Sequence, residues 1–175
     1  MRGPSGDLTE QGETLARETA RAAPGSYDAF YSSPSPRAQQ TAMAFGAKTV
    51  MTDPRLGLLP GAEFVAYDAQ VRALTETQGL GLLEAYLEIA DLHPVLRRKG
   101  EEVLDVLREI ARDLPRGSCA LAISHGGTIE PAVLVAMGGA FKLEMIGMEF
   151  SECEGANFEV DEDKIKLVEL LRLRT

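Results

Sequence analysis

The sequence predicts an α/β fold: a three-layer α/β/α arrangement around a mostly parallel sheet, closed at the C-terminal end by an antiparallel hairpin. Three observations predict it. Short apolar runs alternate with helix-length segments, the order expected of a parallel sheet covered by helices on both faces. One run, Cys119-Ala120-Leu121-Ala122-Ile123, is apolar without alternation, as in a strand buried on both faces. Near the end, residues 157–160 and 165–171 flank Asp161-Glu162-Asp163, the pattern of two strands joined by an acidic turn.

Each element has its own local reason. Asp7 or Thr9 can cap a first helix over 10–23, which Pro24-Gly25 stops. Ala29-Phe30-Tyr31 reads as a short buried strand ending at Ser32-Ser33. Ser35-Pro36 is a cap followed by proline at the first helical position, so a second helix runs to about Gly46. Residues 48–52 suggest a strand closed by Asp53-Pro54. Residues 55–81 lack a clear period and read as a loop or lid with one helical piece over 65–75. Residues 82–92 suggest a helix. Val103, Leu104, Leu107, Ile110, Ala111 and Leu114 recur at three- and four-residue steps, the core-facing stripe of a helix over 99–114. Asp91-Leu92-His93-Pro94, just before it, reads as a helix end and turn, with His93 structural or exposed. A last helix is expected over 128–137.

The 175 residues suit one domain, 1–175, large enough to bury a core. A net charge of -9 argues against general nucleic-acid binding, although one cationic pocket can still hold an anion. Cys119 and Cys153 have no metal-like spacing, so neither a disulfide framework nor a metal site is expected, and a reducing, cytoplasmic setting is the default. No stretch approaches the roughly 18 apolar residues of a membrane span. The opening Met-Arg-Gly-Pro-Ser-Gly lacks the apolar region of a signal peptide.

Two segments carry chemistry, each a strand running through small or polar residues into a helix. That is where ligands bind in parallel sheets, beyond the carboxyl ends of the strands. In Ser32-Ser33-Pro34-Ser35-Pro36-Arg37, the arginine stands in the first turn of a helix, beside free backbone N–H groups and the positive end of the dipole. Its forked guanidinium suits phosphate oxygens. From local pattern alone, a surface arginine on an ordinary capped helix is the competing reading. In Ile123-Ser124-His125-Gly126-Gly127, the glycines let backbone approach a ligand, and the imidazole can donate to a phosphoryl oxygen or move a proton. A satisfied structural histidine is the alternative there.

Together with Leu8-Thr9-Glu10-Gln11-Gly12, the segments Ser32 through Ala42 and Ser124 through Gly127 resemble the histidine phosphatase superfamily, whose fold is phosphoglycerate mutase-like. The resemblance implies a phosphate pocket ringed by two arginines and two histidines. It makes Arg37 a clamp on phosphoryl oxygens and His125 a stabiliser of the transferring phosphoryl group, with Gly126 beside it. It also implies hydrolysis or transfer of a phosphoryl group through a phosphohistidine, with no cofactor and no metal. The ligand would be a phosphorylated small molecule or a phosphoprotein. Glu63, in the variable lid or insertion at 55–92, is the candidate acid for the leaving oxygen; a solvated loop glutamate is the plainer alternative. The strand at 164–171 offers an edge along which a homodimer can pair.

One family block, Arg-His-Gly at the end of an apolar first strand, has no counterpart. Arg2-Gly3 stands near its place, with Arg2 as the candidate phosphate contact, and the chain's only histidines are His93 and His125. Two accounts follow. Either the sequence begins downstream of that block and the native protein is an active phosphatase or mutase, or the protein lacks the block and is a catalytically inactive phospho-ligand binder. The family pattern kept from Leu8 onward favours the first.

Overall fold

In the computed structural model, which describes residues 6–23, 25–58, 61–138 and 141–173, the first helix, α1 (Glu10–Ala22), starts where its capping residue places it. The Thr9 hydroxyl accepts the Gly12 N–H, satisfying one of the orphan donors of the first turn. The chain then forms β1 (Ala29–Ser32) and α2 (Pro36–Ala44), the latter capped by Ser35 with Pro36 in its first turn. Next comes β2 (Met51–Thr52), shorter than the 48–52 expected. Gly46, at φ 98°, turns the chain out of α2, and β2 is an edge strand that meets β1 only at Tyr31 and Ser32.

The middle of the chain is helical in short pieces. Single 3-10 turns at Pro54–Leu56, Gly61–Glu63 and Val65–Tyr67 lead to α3 (Asp68–Gln78) and α4 (Leu82–Glu88). The helix expected over 82–92 breaks at Ile89, which turns extended, and resumes as a 3-10 turn at Ala90–Leu92. That turn runs directly into α5 (His93–Asp113), which starts six residues earlier than its apolar stripe suggested. His93-Pro94 therefore opens a helix rather than closing one. Proline is tolerated there because the first-turn N–H groups have no intrahelical partner. His93 is structural: its Nε2 lies 2.7 Å from the Leu87 carbonyl oxygen, and its ring stacks on Phe141.

β3 (Ala120–Ile123), α6 (Ile129–Ala136), β4 (Gly155–Asp161) and β5 (Lys164–Leu171) complete the fold. The parallel sheet has the order β2-β1-β3, and β4-β5 is a separate antiparallel pair. Helices lie on both faces of the parallel sheet. Tyr31, Ala120 and Ala122 pack on Val103, Val106 and Ile110 of α5. Phe30, the neighbour of Tyr31 and so on the opposite face, meets Tyr27, whose ring in turn meets Phe45 at the end of α2. α1 packs on α2 in that same layer, and the hairpin packs on α5 and α6.

One expectation fails in an informative way. β3 is not fully buried: Ala120 to Ile123 are all half-exposed. β1 occupies one edge of β3, and no described strand occupies the other. Among the described residues, no helix is long and apolar enough to cross a membrane.

The buried core runs along α5. One cluster gathers Leu92, Leu96, Val133 and Leu134, the other Leu56, Val103, Val106 and Ile110. Gly100 lets α5 and α6 approach closely. A Cβ there would stand 2.5 Å from the Pro131 carbonyl oxygen and 2.7 Å from Val135 Cγ2. Gly100→Ala is expected to destabilise the protein. Overpacking costs about 1–3 kcal/mol, which outweighs the roughly 1 kcal/mol that alanine gains over glycine in a helix. Urea titration checks this by a lower midpoint at unchanged slope.

Candidate functional site

The site is assembled by one ladder. β1 and β3 pair in register from Ala29↔Ala120 to Ser32↔Ile123. The ladder continues past the strand end, where the Ser33 N–H donates to the Ile123 carbonyl at 3.0 Å. The residues after each strand therefore leave side by side, one path entering α2 and the other the turn before α6. Ser32 and Ser33 are buried, and the Ser35 hydroxyl caps α2 by accepting the Ala38 N–H. Arg37 is thus set in the first turn of α2.

Arg37 and His125 meet. Arg37 Nη2 lies 3.0 Å from His125 Nδ1, and Ser33 Oγ lies 2.7 Å from His125 Nε2. A guanidinium can only donate, so Nδ1 is the acceptor and Nε2 carries the proton toward Ser33. The ring is neutral. Burial, then Arg37 and then Lys99, hold its pKa down at about 4.

The turn that carries His125 is pinned from several sides. Gly127 adopts φ 80°, a conformation that a side chain would strain. Glu130, 1% exposed, reaches back to accept the Gly127 N–H at 2.7 Å and the Phe150 N–H at 3.1 Å. Burial raises the Glu130 pKa, and those N–H groups pull it the other way. The Ser124 hydroxyl donates to the Leu56 carbonyl, the Thr128 hydroxyl to Gly57, and the buried Lys99 ammonium to Arg55. Arg55 is itself held by Asp53 and Glu109.

Arg37, His125 and Gly126 line a cleft of about 1,230 Å³. Glu63 does not line it and is ion-paired with Arg98. Arg2 lies outside the described residues. Ser33, Lys99 and Glu130 escape sequence reasoning. Ser33 sits inside the motif, but nothing local marks it as the partner of a histidine 92 residues away. A lysine and a glutamate within helices look like solvated charges until their burial is known.

Residues 2–57 match the family model described as histidine phosphatase superfamily (branch 1). The fold is that of the histidine phosphatase superfamily. The phosphoserine phosphatase of Entamoeba histolytica, in complex with 3-phosphoglyceric acid, superposes with a TM-score of 0.68 at 17% identity, covering 99% of this chain and 89% of that one. A mycobacterial glucosyl-3-phosphoglycerate phosphatase bound to VO3 gives 0.69 at 17% identity, over 98% and 91%. A phosphoglycerate mutase from Bacillus anthracis gives 0.63 at 14% identity, over 95% and 84%. Curated proteins provide no significant sequence match. In this histidine phosphatase fold, the Ser32–Arg37 segment falls within the family match, whereas His125 is joined to it through the ladder.

The electrostatics set a pH dependence. His125 is expected to titrate near pH 4 in the free protein, as followed by NMR of its ring protons. An unfolded histidine titrates near 6.5, so below that pH the unfolded chain binds the extra proton first. The neutral ring's contribution is complete above about pH 6.5 and is lost as the pH falls toward 4. His125→Asn should flatten the fall in urea midpoint between about pH 6.5 and 5.

Proposed function

We propose that the protein acts on phosphomonoesters as a phosphatase or phosphoryl transferase, through a phosphohistidine whose attacking histidine comes from outside the 175 residues. The observation that supports this is the 3.0 Å approach of Arg37 to His125 at the ends of two adjacent parallel strands. Arg37 holds two phosphoryl oxygens by its fork. An arriving oxyanion takes the guanidinium away from Nδ1, so the imidazole gains an acceptor free for a proton, and the dianion raises its pKa. His125 then stabilises negative charge on the transferring group as a donor. Gly126 presents backbone without a side chain beside it.

The reaction balances in two steps. A histidine nitrogen attacks phosphorus, the ester P–O bond breaks, and the leaving oxygen takes a proton. Water, or a hydroxyl in a transferase, then attacks phosphorus and breaks the P–N bond, which frees the histidine. The pairing of Glu63 with Arg98 gives no support to an acid role for that carboxylate. Phosphorylated small molecules are the substrate class, with selectivity from the 55–92 segment.

A second reading rests on a specific fact. His93 and His125 are the only histidines, and His93 is bound to the Leu87 carbonyl. Without an added histidine the site binds phosphate and does not turn over. Vanadate binding and p-nitrophenyl phosphate hydrolysis, both measured on the native protein, separate the readings. Arg37→Ala should weaken vanadate binding about 10- to 100-fold, the loss expected for hydrogen bonds to a charged group. His125→Ala should lower turnover on the order of 100- to 1,000-fold. Binding without turnover selects the second reading, and absence of vanadate binding removes both.

A further inference from the structure

The helix α4 begins on a residue that cannot cap it. Gly81 stands at the capping position and has no side-chain oxygen for the first-turn N–H groups. A carboxylate from 65 residues away takes that place: Glu149 Oε1 accepts the Glu84 N–H at 3.1 Å. The fit depends on the glycine. A Cβ at Gly81 would stand 2.4 Å from that same oxygen. Gly81 has φ -62°, which any residue adopts, so an alanine there would violate the space and not the backbone. Glu149 also adjoins the turn that carries His125. The peptide group joining Glu149 to Phe150 is held at both ends: its carbonyl accepts from Arg172 Nη1 at 3.0 Å, and its N–H donates to Glu130 Oε1 at 3.1 Å. Arg172 donates further to the Ile146 and Met148 carbonyls and to Glu154, and its guanidinium covers the Phe150 ring at 4.1 Å. The other Glu130 oxygen holds the Gly127 N–H. Ile146 and Phe150 are buried in one cluster with Leu83 and Leu87 of α4 and Val133 and Leu134 of α6. Residues 146–150 therefore form a strap, fastened to α4 by the Glu149 side chain and to the histidine turn by the Phe150 N–H.

We propose that Glu149 is a positioning residue for His125, seating α4 against the 125–127 turn through Phe150 and Glu130. The chain of contacts is short: a side-chain cap, one peptide group and one carboxylate separate the Glu84 N–H from the Gly127 N–H. Each step is a hydrogen bond to a carboxylate, the stronger kind. α4 belongs to the 55–92 segment, so the residues that select a substrate and the imidazole that meets its phosphoryl oxygens take their places together. That consequence rests on the phosphomonoester reading, whereas the coupling of α4 to the turn does not.

The test is amide deuterium exchange in the native protein, read at Glu84, Gly127 and Phe150, with Val103 and Leu104 of α5 as the reference for global opening. Glu149→Ala should speed exchange at Gly127 and Phe150 about tenfold relative to α5. Glu149→Gln keeps an oxygen that can accept the Glu84 N–H and should restore most of the protection. Gly81→Ala pushes the same carboxylate off from the α4 side and should act as Glu149→Ala does. Combined with Glu149→Ala it should add nothing, because no carboxylate remains to displace. On p-nitrophenyl phosphate, Glu149→Ala should lower kcat about tenfold and leave KM nearly unchanged, the mark of a misplaced group that acts in the transition state. Three exchange results overturn the proposal: acceleration confined to Glu84, acceleration shared equally with α5, or additive effects of the two substitutions. Absence of turnover with the expected exchange pattern counts against the phosphomonoester reading and still upholds the coupling.

Discussion

Pairing between β1 and β3 governs everything distinctive about this molecule, because it converts two distant stretches of sequence into one surface. The register places Ser32 against Ile123, and one further hydrogen bond, from Ser33 to Ile123, carries the alignment into the loops. Arg37 follows one strand by five residues and His125 follows the other by two, so the capped first turn of α2 and the glycine turn before α6 converge without either needing a long reach. A shift of one residue in this ladder would turn one strand's side chains over relative to the other's and separate the guanidinium from the imidazole.

The electrostatics follow from that geometry. The pocket gathers Arg37 and Lys99 around a half-buried histidine, and burial, joined by the repulsion of those two cations, keeps the ring neutral. A neutral ring can accept from arginine on one nitrogen and donate to Ser33 on the other, so both ring nitrogens are hydrogen-bonded. Glu130 supplies the local counterweight. It faces backbone N–H groups rather than the pocket, so it steadies the turn without pairing with Arg37 or His125.

Much of this was legible in the sequence wherever the cause was local. Thr9 and Ser35-Pro36 announce their helices because a cap acts within four residues, and the acidic turn between β4 and β5 is likewise a short-range signal. Arg37 and His125 were legible through their motif contexts. What could not be read depends on neighbours distant in the chain. His93-Pro94 fits the end of one helix or the start of another, and only the packing of Leu92 and Leu96 into the core decides between them. The apolar run at 120–123 reads as fully buried because its composition records what it is suited to touch, while its exposure records what is there. Lys99 and Glu130 occupy helical positions where charge normally means solvent, and their burial is set by partners 44 and 20 residues away.

Three consecutive carbonyls, those of Arg55, Leu56 and Gly57, are each met by a side-chain donor, from Lys99, Ser124 and Thr128 respectively. The polypeptide is bolted down at this point by the half of the chain that carries His125. Among the described residues between Gly61 and Leu92 no such row of fastenings continues. The row of fastenings therefore ends at Gly57. The loop after β2 and the turn that carries His125 are thereby locked to one another, so a displacement of either is passed to the other.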